Sequence, residues 1–297
     1  MIEISDLQTA LLDLLYEIKG SDINLIVGGG FGIYLKEEYV RQQRARTLLN
    51  EWPVPRTTND LDLFLRPELL IHSAILKPMA EALERLGYGV VPESEKYQFV
   101  KPGRESDGVG SIKIDILTGP RSRFLGTRAR TDDRRVRPRP SVGIHAHPVN
   151  EVSTLEEGLV SVELSGMRSS GDSFSSGVFL PNPYTFLLMK LFAYKDRVQD
   201  ADKEYGRYHA LDLYTIMATT TEEEWGQAQE FRDRFKEDPY VVEAGRLVSE
   251  YFSTLENLGM LRLRESPYYR SRLQLDEFMS AFKELFPLID EKQNLSK

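Results

Sequence analysis

The chain has no cysteine among its 297 residues. Disulfides, zinc–thiolate sites and cysteine nucleophiles are therefore excluded. It also lacks any apolar run near the roughly 20 residues that span a bilayer. Its first residues show neither the basic start nor the apolar stretch of a signal peptide. These absences predict a cytoplasmic protein with no membrane partner.

The remaining composition is ordinary for a globular protein. Hydrophobic residues make up 41% and charged residues 28% of the chain. Its length allows two lobes, or one domain with an appended helical part. The net charge of −8 argues against a surface covered by nucleic acid, because phosphate neutralisation requires clustered lysine and arginine.

One stretch departs from this acidic average. Between residues 121 and 139 the sequence carries eight arginines against two acidic residues, Asp132 and Asp133. The stretch is either a solvated, partly disordered loop or a phosphate-binding strip for a polyanionic substrate. In the second interpretation the predicted acceptor-binding residues are Arg128, Arg130, Arg134 and Arg135.

Hydrophobic periodicity predicts an α+β chain whose second part is helical. Strands are predicted over 23–27, 61–65, 88–91, 97–101, 111–117, 159–164 and 178–180, and helices over 4–19, 31–49 and 67–86. The serine- and glycine-rich segment 165–177 is expected to form a hairpin tip or a mobile loop. Further helices are predicted over 184–198, 205–219, 221–235, 239–258 and 275–285. The predicted domains are therefore an α/β domain, 1–180, and a helical domain, 181–297.

Two aspartates flank Leu61 at the beginning of a predicted strand. Side chains at i and i+2 project from one face, so the carboxylates of Asp60 and Asp62 point the same way. Like charges so close together are unfavourable unless a cation lies between them. The apolar residues 63–65 that follow indicate a buried strand, which favours a metal site over solvated charge.

Asp115 lies between two isoleucines in another predicted strand, where an unpaired charge is unfavourable. Neutralisation by Lys113 on the same face is one explanation. The other is that Asp115 comes from a neighbouring strand and completes a three-carboxylate site with Asp60 and Asp62. Oxygen ligands favour Mg²⁺ or Mn²⁺, and such ions support phosphoryl-type transfer.

Three consecutive glycines, Gly28, Gly29 and Gly30, join a predicted strand to a predicted helix. Such a turn lets backbone N–H groups approach a phosphate at the positive end of the helix, although a glycine run by itself is usually only a tight turn. The run is neither a Walker P-loop nor a dinucleotide fingerprint, because neither glycine pattern is present.

The order of these motifs resembles the polymerase-β-like nucleotidyltransferase superfamily. The motifs are the strand–glycine–helix unit, Arg56-x-Thr58-x-Asp60-Leu61-Asp62 and Lys113-Ile114-Asp115. Further along, residues 183–191 with Asp196-Arg197, and residues 209–214, are similar to the AbiEii-type toxin nucleotidyltransferases of bacterial abortive-infection and toxin–antitoxin operons. The resemblance spans roughly residues 23–215.

The resemblance implies a mixed β-sheet flanked by helices, with a helical C-terminal lobe. It implies metal binding by Asp60, Asp62 and Asp115, and nucleotide binding by Gly28, Gly29, Gly30, Arg56, Thr58 and Lys190. Lys190 would contact the triphosphate, and Asp212 would support that lysine or the acceptor. A lysine that extends to the helix surface is the alternative for Lys190.

The activity implied is transfer of a nucleoside monophosphate from an NTP to an acceptor hydroxyl, with Mg²⁺ or Mn²⁺ as cofactor. The toxin resemblance implies an RNA acceptor, a tRNA 3′ end, and a cognate antitoxin as a partner. The alternatives are a small-molecule acceptor such as an aminoglycoside, a protein acceptor, or a catalytically degenerate regulatory module. The 31-residue spacing from Gly29 to Asp60 and the arginine-rich stretch both depart from the family pattern, and they leave the substrate open.

Overall fold

The computed structural model describes residues 3–54, 56, 58–103, 110–200 and 202–288. The chain divides into two compact units. The first unit comprises Met1–Leu35 and Arg56–Pro181, and the second comprises Lys36–Pro55 and Asn182–Lys297. A mixed sheet with helices in the first unit, and helices in the second, confirm the predicted α+β class.

The first unit is built on a mixed β-sheet. Its helices are α1 (Ile4–Glu17), the beginning of α2 (Gly29–Gln43), α3 (Pro67–Ile71) and α4 (Lys77–Arg85). Its strands are β1 (Ile26–Val27), β2 (Asp60–Leu65), β3 (Gly89–Val90), β4 (Gln98–Lys101), β5 (Ile112–Thr118), β6 (Arg130–Thr131), β7 (Val136–Arg137), β8 (His147–Pro148), β9 (Val160–Met167) and β10 (Ser173–Leu180).

The strand order along the main sheet is β3-β4-β5-β2-β1-β10-β9, and β8 pairs with β5 outside this path. The β2/β5, β1/β10 and β5/β8 pairs are parallel, whereas the other pairs of this sheet are antiparallel. The β6 and β7 strands form a separate two-stranded sheet. The two strands that carry the predicted metal ligands, β2 and β5, are thus direct neighbours.

Strand periodicity separates the two faces of β2 and β5. Leu61, Leu63 and Leu65 of β2 are fully buried, as are Ile114 and Ile116 of β5. Since side chains alternate along a strand, the aspartates between these residues project from the opposite face. The apolar positions therefore fix the face on which the polar residues lie.

Helix α1 is amphipathic and packs against β9, β10 and α4. Its residues Leu7, Leu11 and Leu14 have no exposed surface. Burial of each leucine side chain contributes about 1.5–3 kcal/mol relative to its exposure. The helix begins at a capping box formed by Glu3 and Asp6, which satisfies backbone N–H groups of its first turn.

The second unit is helical in its described part after residue 182. Its helices are α5 (Pro183–Arg197), α6 (Lys203–Ala218), α7 (Glu222–Phe235), α8 (Pro239–Tyr251), α9 (Leu258–Arg264) and α10 (Leu275–Leu285). Its core is aromatic, and the fully buried rings are Tyr184, Tyr194, Tyr214, Phe186, Phe252, Phe278, Phe282 and Phe286. Most neighbouring rings meet at steep or tilted angles, as aromatic pairs prefer.

The predicted α/β domain, 1–180, included residues 36–55. In the structure these residues belong to the helical unit. Lys36 forms a buried ion pair with Glu224 of α7. The Tyr214 hydroxyl donates a hydrogen bond of 2.9 Å to the Glu51 carbonyl oxygen. Contacts between residues so far apart in sequence leave no local pattern from which the assignment could be made.

Two predicted helices are interrupted. The predicted helix 67–86 is divided into α3, a short 3₁₀ turn over Ser73–Leu76, and α4. Pro78 lies in the first turn of α4, where a missing N–H is tolerated, so the helix restarts there. The predicted helix 239–258 is likewise divided, since α8 ends at Tyr251 and α9 begins at Leu258.

The serine- and glycine-rich segment is mostly strand. β9 and β10 pair in antiparallel register from Val160↔Leu180 to Met167↔Ser173. Of the two alternatives for 165–177, the mobile loop is therefore wrong and the hairpin tip is confirmed, although the tip comprises only residues 168–172. Gly171 in this tip has φ of +88°, a conformation that favours glycine.

No helix in the described part of the chain is long and apolar enough to cross a bilayer.

Candidate active site

The register of β2 and β5 brings the three predicted carboxylates together. Asp62 is the Cα partner of Asp115, and Asp60 is the partner of Lys113. Because the strands are parallel and side chains alternate, all four of these side chains project from one face of the sheet. The two chain segments that carry the aspartates thus meet as adjacent strands.

Asp115 is held by one of its two carboxylate oxygens. Lys113 Nζ lies 3.0 Å from Asp115 Oδ2. Asp115 Oδ1 is buried and has no hydrogen-bond partner among the described residues. Burial raises the pKa of the Asp115 carboxyl and the charge of Asp60 adds to this, while Lys113 and the side chain of Gln98 oppose it.

Lys113 is the basic member of the site. Burial disfavours its charged form, but the carboxylates of Asp115, Asp60 and Asp62 outweigh that effect and raise its pKa. The Lys113 side chain is 31% exposed and that of Asp115 is 16% exposed. Burial is the largest single effect at both groups; the carboxylates together outweigh it at Lys113, whereas Lys113 and Gln98 do not outweigh it at Asp115.

The glycine turn lies directly against Asp62. Gly28 N donates a hydrogen bond of 2.8 Å to the Asp62 carbonyl oxygen. A Cβ atom on Gly29 would lie 1.7 Å from Asp62 Oδ2, and the φ angle of Gly29 is +60°. Only glycine at this position leaves room for the carboxylate and accepts the left-handed backbone.

Gly30 lies close to two residues that belong to the sequence motif before β2, Arg56 and Thr58. A Cβ atom on Gly30 would lie 2.9 Å from Arg56 Nη2 and 3.0 Å from Thr58 Cβ. The site face of the first unit therefore combines the beginning of α2, the segment before β2, and the strands β2 and β5. The backbone N–H groups of the first turn of α2 and the Arg56 side chain lie beside the carboxylates of β2 and β5. The N–H groups and the arginine suit a phosphate, and the carboxylates suit a cation.

The acidic cluster has the chemistry that a hard divalent cation prefers. Its donors are carboxylate oxygens, and the unpartnered Asp115 Oδ1 is a buried acceptor without a protein donor. Within the described ranges, no group of three Asp, Glu or His side chains already forms a metal-binding arrangement. The positive charge among the aspartates is supplied instead by Lys113. Asp60, Asp62 and Asp115 share one face of the sheet and offer carboxylate oxygens, and their role as metal ligands stays a prediction.

The two remaining predicted catalytic residues lie in the second unit and contact each other. Lys190 Nζ lies 2.8 Å from Asp212 Oδ2, and their side chains are 8% and 4% exposed. The alternative of a lysine that extends to the helix surface is therefore wrong. The contact is compatible with support of Lys190 by Asp212, but the roles of both residues in a reaction, including contact of Lys190 with a triphosphate, stay predictions.

The arginine-rich stretch folds into a hairpin in the first unit, with β6 and β7 paired. Its ion-paired arginines are Arg121 with Asp133, Arg123 with Glu156, Arg135 with Glu95 and Asp132, and Arg137 with Asp132. Arg123 is exposed although it is ion-paired. The exposed arginines for which the described chain provides no ion-pair partner are Arg128, Arg130, Arg134 and Arg139. Three of the four predicted acceptor-binding arginines are thus exposed, whereas Arg135 is bound by acidic neighbours.

Gln98 belongs to the site but was not selected from the sequence. It is the Cα partner of Asp115 in the antiparallel β4/β5 pair, and its side chain acts on that carboxylate. A polar residue in the predicted strand 97–101 was the only local signal. The pairing that places it beside Asp115 depends on strand register, which the sequence does not show.

No protein-family model matches the chain, and no curated protein matches it. Among solved structures, the solution structure of the antibiotic-resistance factor ANT(2'')-Ia is similar, at 15% sequence identity. The match covers 79% of this chain and 96% of that chain, with a TM-score of 0.39. A likeness at this level does not transfer a function, so the family resemblance of the motifs stays a prediction.

Proposed function

We propose that this protein is a metal-dependent nucleotidyltransferase that transfers a nucleoside monophosphate from an NTP to an acceptor hydroxyl. The observation that carries the proposal is the in-register pairing of Asp62 with Asp115, with Asp60 on the same face. The glycine turn against Asp62 supports it, because it supplies N–H groups for a phosphate beside the carboxylates.

Each group has a defined task in this proposal. Asp60, Asp62 and Asp115 would hold Mg²⁺ or Mn²⁺, which supplies charge neutralisation at the phosphates and a lowered pKa for the acceptor hydroxyl. The glycine turn and Arg56 bind and orient the phosphates. The acceptor oxygen forms a bond to the α-phosphorus, the bond to pyrophosphate breaks, and the hydroxyl proton leaves to solvent.

The proposed acceptor is RNA, a tRNA 3′ end. The exposed arginines of the hairpin, Arg128, Arg130 and Arg134, support a polyanionic acceptor in a chain whose overall charge is −8. In this proposal the protein acts in the cytoplasm as the toxin of a toxin–antitoxin or abortive-infection pair. An acidic antitoxin surface would compete with RNA for the same arginines.

Incubation of the protein with each α-labelled NTP, Mg²⁺ and total tRNA tests the proposal. We expect label to be transferred to tRNA by the wild type and not by Asp60→Ala or Asp115→Asn. Parallel reactions with an aminoglycoside or with the protein alone distinguish the acceptor classes. Absence of transfer to every acceptor, or equal transfer by the two variants, contradicts the proposed activity.

A matched control separates chemistry from folding. Asp172 is an aspartate of the same unit in the exposed β9–β10 tip, where it accepts a hydrogen bond from Ser170. Asp172→Asn removes the same charge without touching the site. It is expected to keep wild-type transfer, and loss of transfer by this variant would show that general charge, rather than the carboxylate cluster, controls the reaction.

A further inference from the structure

The ammonium group of Lys113 lies among the acidic side chains of the proposed site. Its Nζ atom is 3.0 Å from Asp115 Oδ2, and its Cα partner on β2 is Asp60. The charges of Asp60 and Asp62 also act on it. One cation of the protein itself thus faces three carboxylates.

Three carboxylates on one face of two adjacent strands repel each other when no metal is bound. The aspartates of β2 are two residues apart, and Asp115 is directly beside Asp62. Their combined charge of −3 becomes −2 once Lys113 is counted, since it contributes +1. A folded metal-free protein needs such a partial neutralisation, because the aspartates are only partly exposed to water.

The contact also orients Asp115. Lys113 holds Oδ2, whereas Oδ1 is buried and has no hydrogen-bond partner among the described residues. A carboxylate held by one oxygen keeps the other in a fixed place. Asp115 is therefore prepared to present a single oxygen to a cation.

We infer that Lys113 is a positioning residue and an internal counter-cation: it neutralises the aspartate cluster in the metal-free protein and presents Asp115 Oδ1 to the divalent ion. This inference rests on the proposed function, because the ion concerned is the one that the transfer reaction needs. In this role Lys113 lowers the affinity of the site for the metal, and in return it stabilises and orders the aspartates in the metal-free protein.

The variant Lys113→Met keeps the length of the side chain and removes its charge. Without the competing cation, Mn²⁺ should bind about tenfold more tightly, the effect of a unit charge on a divalent ion a few ångströms away in a water-like dielectric. In EDTA the variant should have a lower Tm than the wild type, because the aspartates are less neutralised. Saturating Mn²⁺ should remove that difference in Tm. Lys113→Arg should resemble the wild type in both measurements.

Lys101→Met is the matched control. Lys101 lies on the neighbouring strand β4, but its register partner is Ile112, so its side chain projects from the opposite face. Its replacement should leave the Mn²⁺ affinity unchanged. Binding is measured by electron paramagnetic resonance of free Mn²⁺, and Tm by circular dichroism with and without the ion.

Two results would overturn the inference and leave Lys113 a structural residue. The first is Mn²⁺ binding by Lys113→Met that is unchanged or weaker. The second is a lowered Tm of this variant that Mn²⁺ does not restore. A wild type that binds no Mn²⁺, or an Asp115→Asn variant that binds it normally, is a failure of the proposed function instead. In that case a double-mutant cycle between Lys113→Met and Asp115→Asn in EDTA still measures the neutralisation. Absence of coupling in that cycle overturns the counter-cation role, and coupling supports it.

Discussion

A single glycine shows most directly how the first unit makes room for its acidic site. Gly29 combines a φ of +60° with a position at which a Cβ atom would lie 1.7 Å from Asp62 Oδ2. Two separate effects therefore act on any substitution, backbone strain and a collision with the carboxylate. They can be separated because other glycines of the same unit have a similar φ without the collision.

We predict that Gly29→Ala abolishes nucleotidyl transfer and weakens Mn²⁺ binding, because the new methyl group displaces the Asp62 carboxylate. Gly126→Ala is the control, since Gly126 has φ of +74° and nothing within 4 Å of an added Cβ. Gly126→Ala introduces only the backbone strain, about 1 kcal/mol, without any collision, and this variant should keep its activity. Equal effects of the two substitutions on metal affinity would show that strain, not the collision, is responsible.

The buried pair Lys190–Asp212 gives a second prediction at this scale. Removal of one partner leaves the other charged and buried, so Lys190→Met or Asp212→Leu should each lower the free energy of unfolding by about 3–5 kcal/mol. The double substitution should be far less destabilising than the sum of the two. Urea unfolding of the three variants measures this. If the double variant is stable but inactive, Lys190 has a role in the reaction beyond stability; if it is active, the pair is structural.

Individual elements show what local patterns can and cannot predict. Period-2 alternation was sufficient to place Asp60, Asp62 and Asp115 on the polar faces of two strands, because the isoleucines and leucines between them are buried. The pairing of those strands, and the position of Gln98 beside Asp115, depends on register and hence on contacts distant in sequence. The proposed role of these residues as metal ligands remains to be tested.

The predicted boundaries of elements and domains were less accurate where the local pattern of polar and apolar residues did not reflect the structure. The segment 165–177 contains many serines, yet β9 and β10 continue through much of it, since cross-strand hydrogen bonds satisfy the backbone whatever the side chains. Residues 36–55 belong with the helical unit because of contacts such as Lys36–Glu224. Neither outcome follows from local propensity, because tertiary contacts determine both.

Helix α2 carries a buried carboxyl that makes stability depend on pH. Glu37 is 1% exposed, and burial raises its pKa to about 7, against the opposing effect of Arg41. The folded protein therefore binds this proton more tightly than the unfolded chain, whose carboxyl has its ordinary pKa of 4.5. The resulting stabilisation is complete below pH 4.5 and is lost as the pH rises through about 7.

We therefore predict that Glu37→Gln becomes progressively more stable relative to the wild type across this window. The relative gain should reach about 3 kcal/mol above pH 7, a figure in which the opposing effect of Arg41 is already included because it is part of the pKa of about 7. Glu237→Gln is the control, because Glu237 is exposed and is not among the groups that shift the pKa of Glu37. Urea unfolding monitored by circular dichroism between pH 4 and 8 provides the measurement. A difference between Glu37→Gln and the wild type that does not change with pH contradicts the assignment.

At the scale of the whole molecule, the distribution of charge is more informative than its sum. The chain carries −8 overall, while residues 121–139 carry eight arginines and two acidic residues, a local charge of +6. A polyanion approaching this protein is repelled on average and attracted at one hairpin. Binding of tRNA should therefore depend on few phosphate contacts, each of which releases counterions.

The hairpin offers a pair of arginines with which this can be tested. Arg130 and Arg137 are Cα partners, but Arg130 is exposed and without an ion-pair partner in the described chain, whereas Arg137 contacts Asp132 at 3.2 Å. Because Asp132 already neutralises Arg137, only Arg130 has a counterion to exchange for a phosphate. We predict that Arg130→Gln reduces the slope of log K against log salt for tRNA by about 0.9, and that Arg137→Gln reduces it much less.

Fluorescence anisotropy of labelled tRNA, titrated at several salt concentrations, gives both slopes. A control with Arg46→Gln removes one exposed charge of the other unit, at a side chain that is 86% exposed, and should leave the slope unchanged. Equal slopes for Arg130→Gln and the wild type would remove the hairpin from the acceptor site without affecting the carboxylate chemistry. Because the hairpin and the aspartates make separate contributions, binding and transfer can fail independently, and the pattern of failure identifies which part of the proposal is wrong.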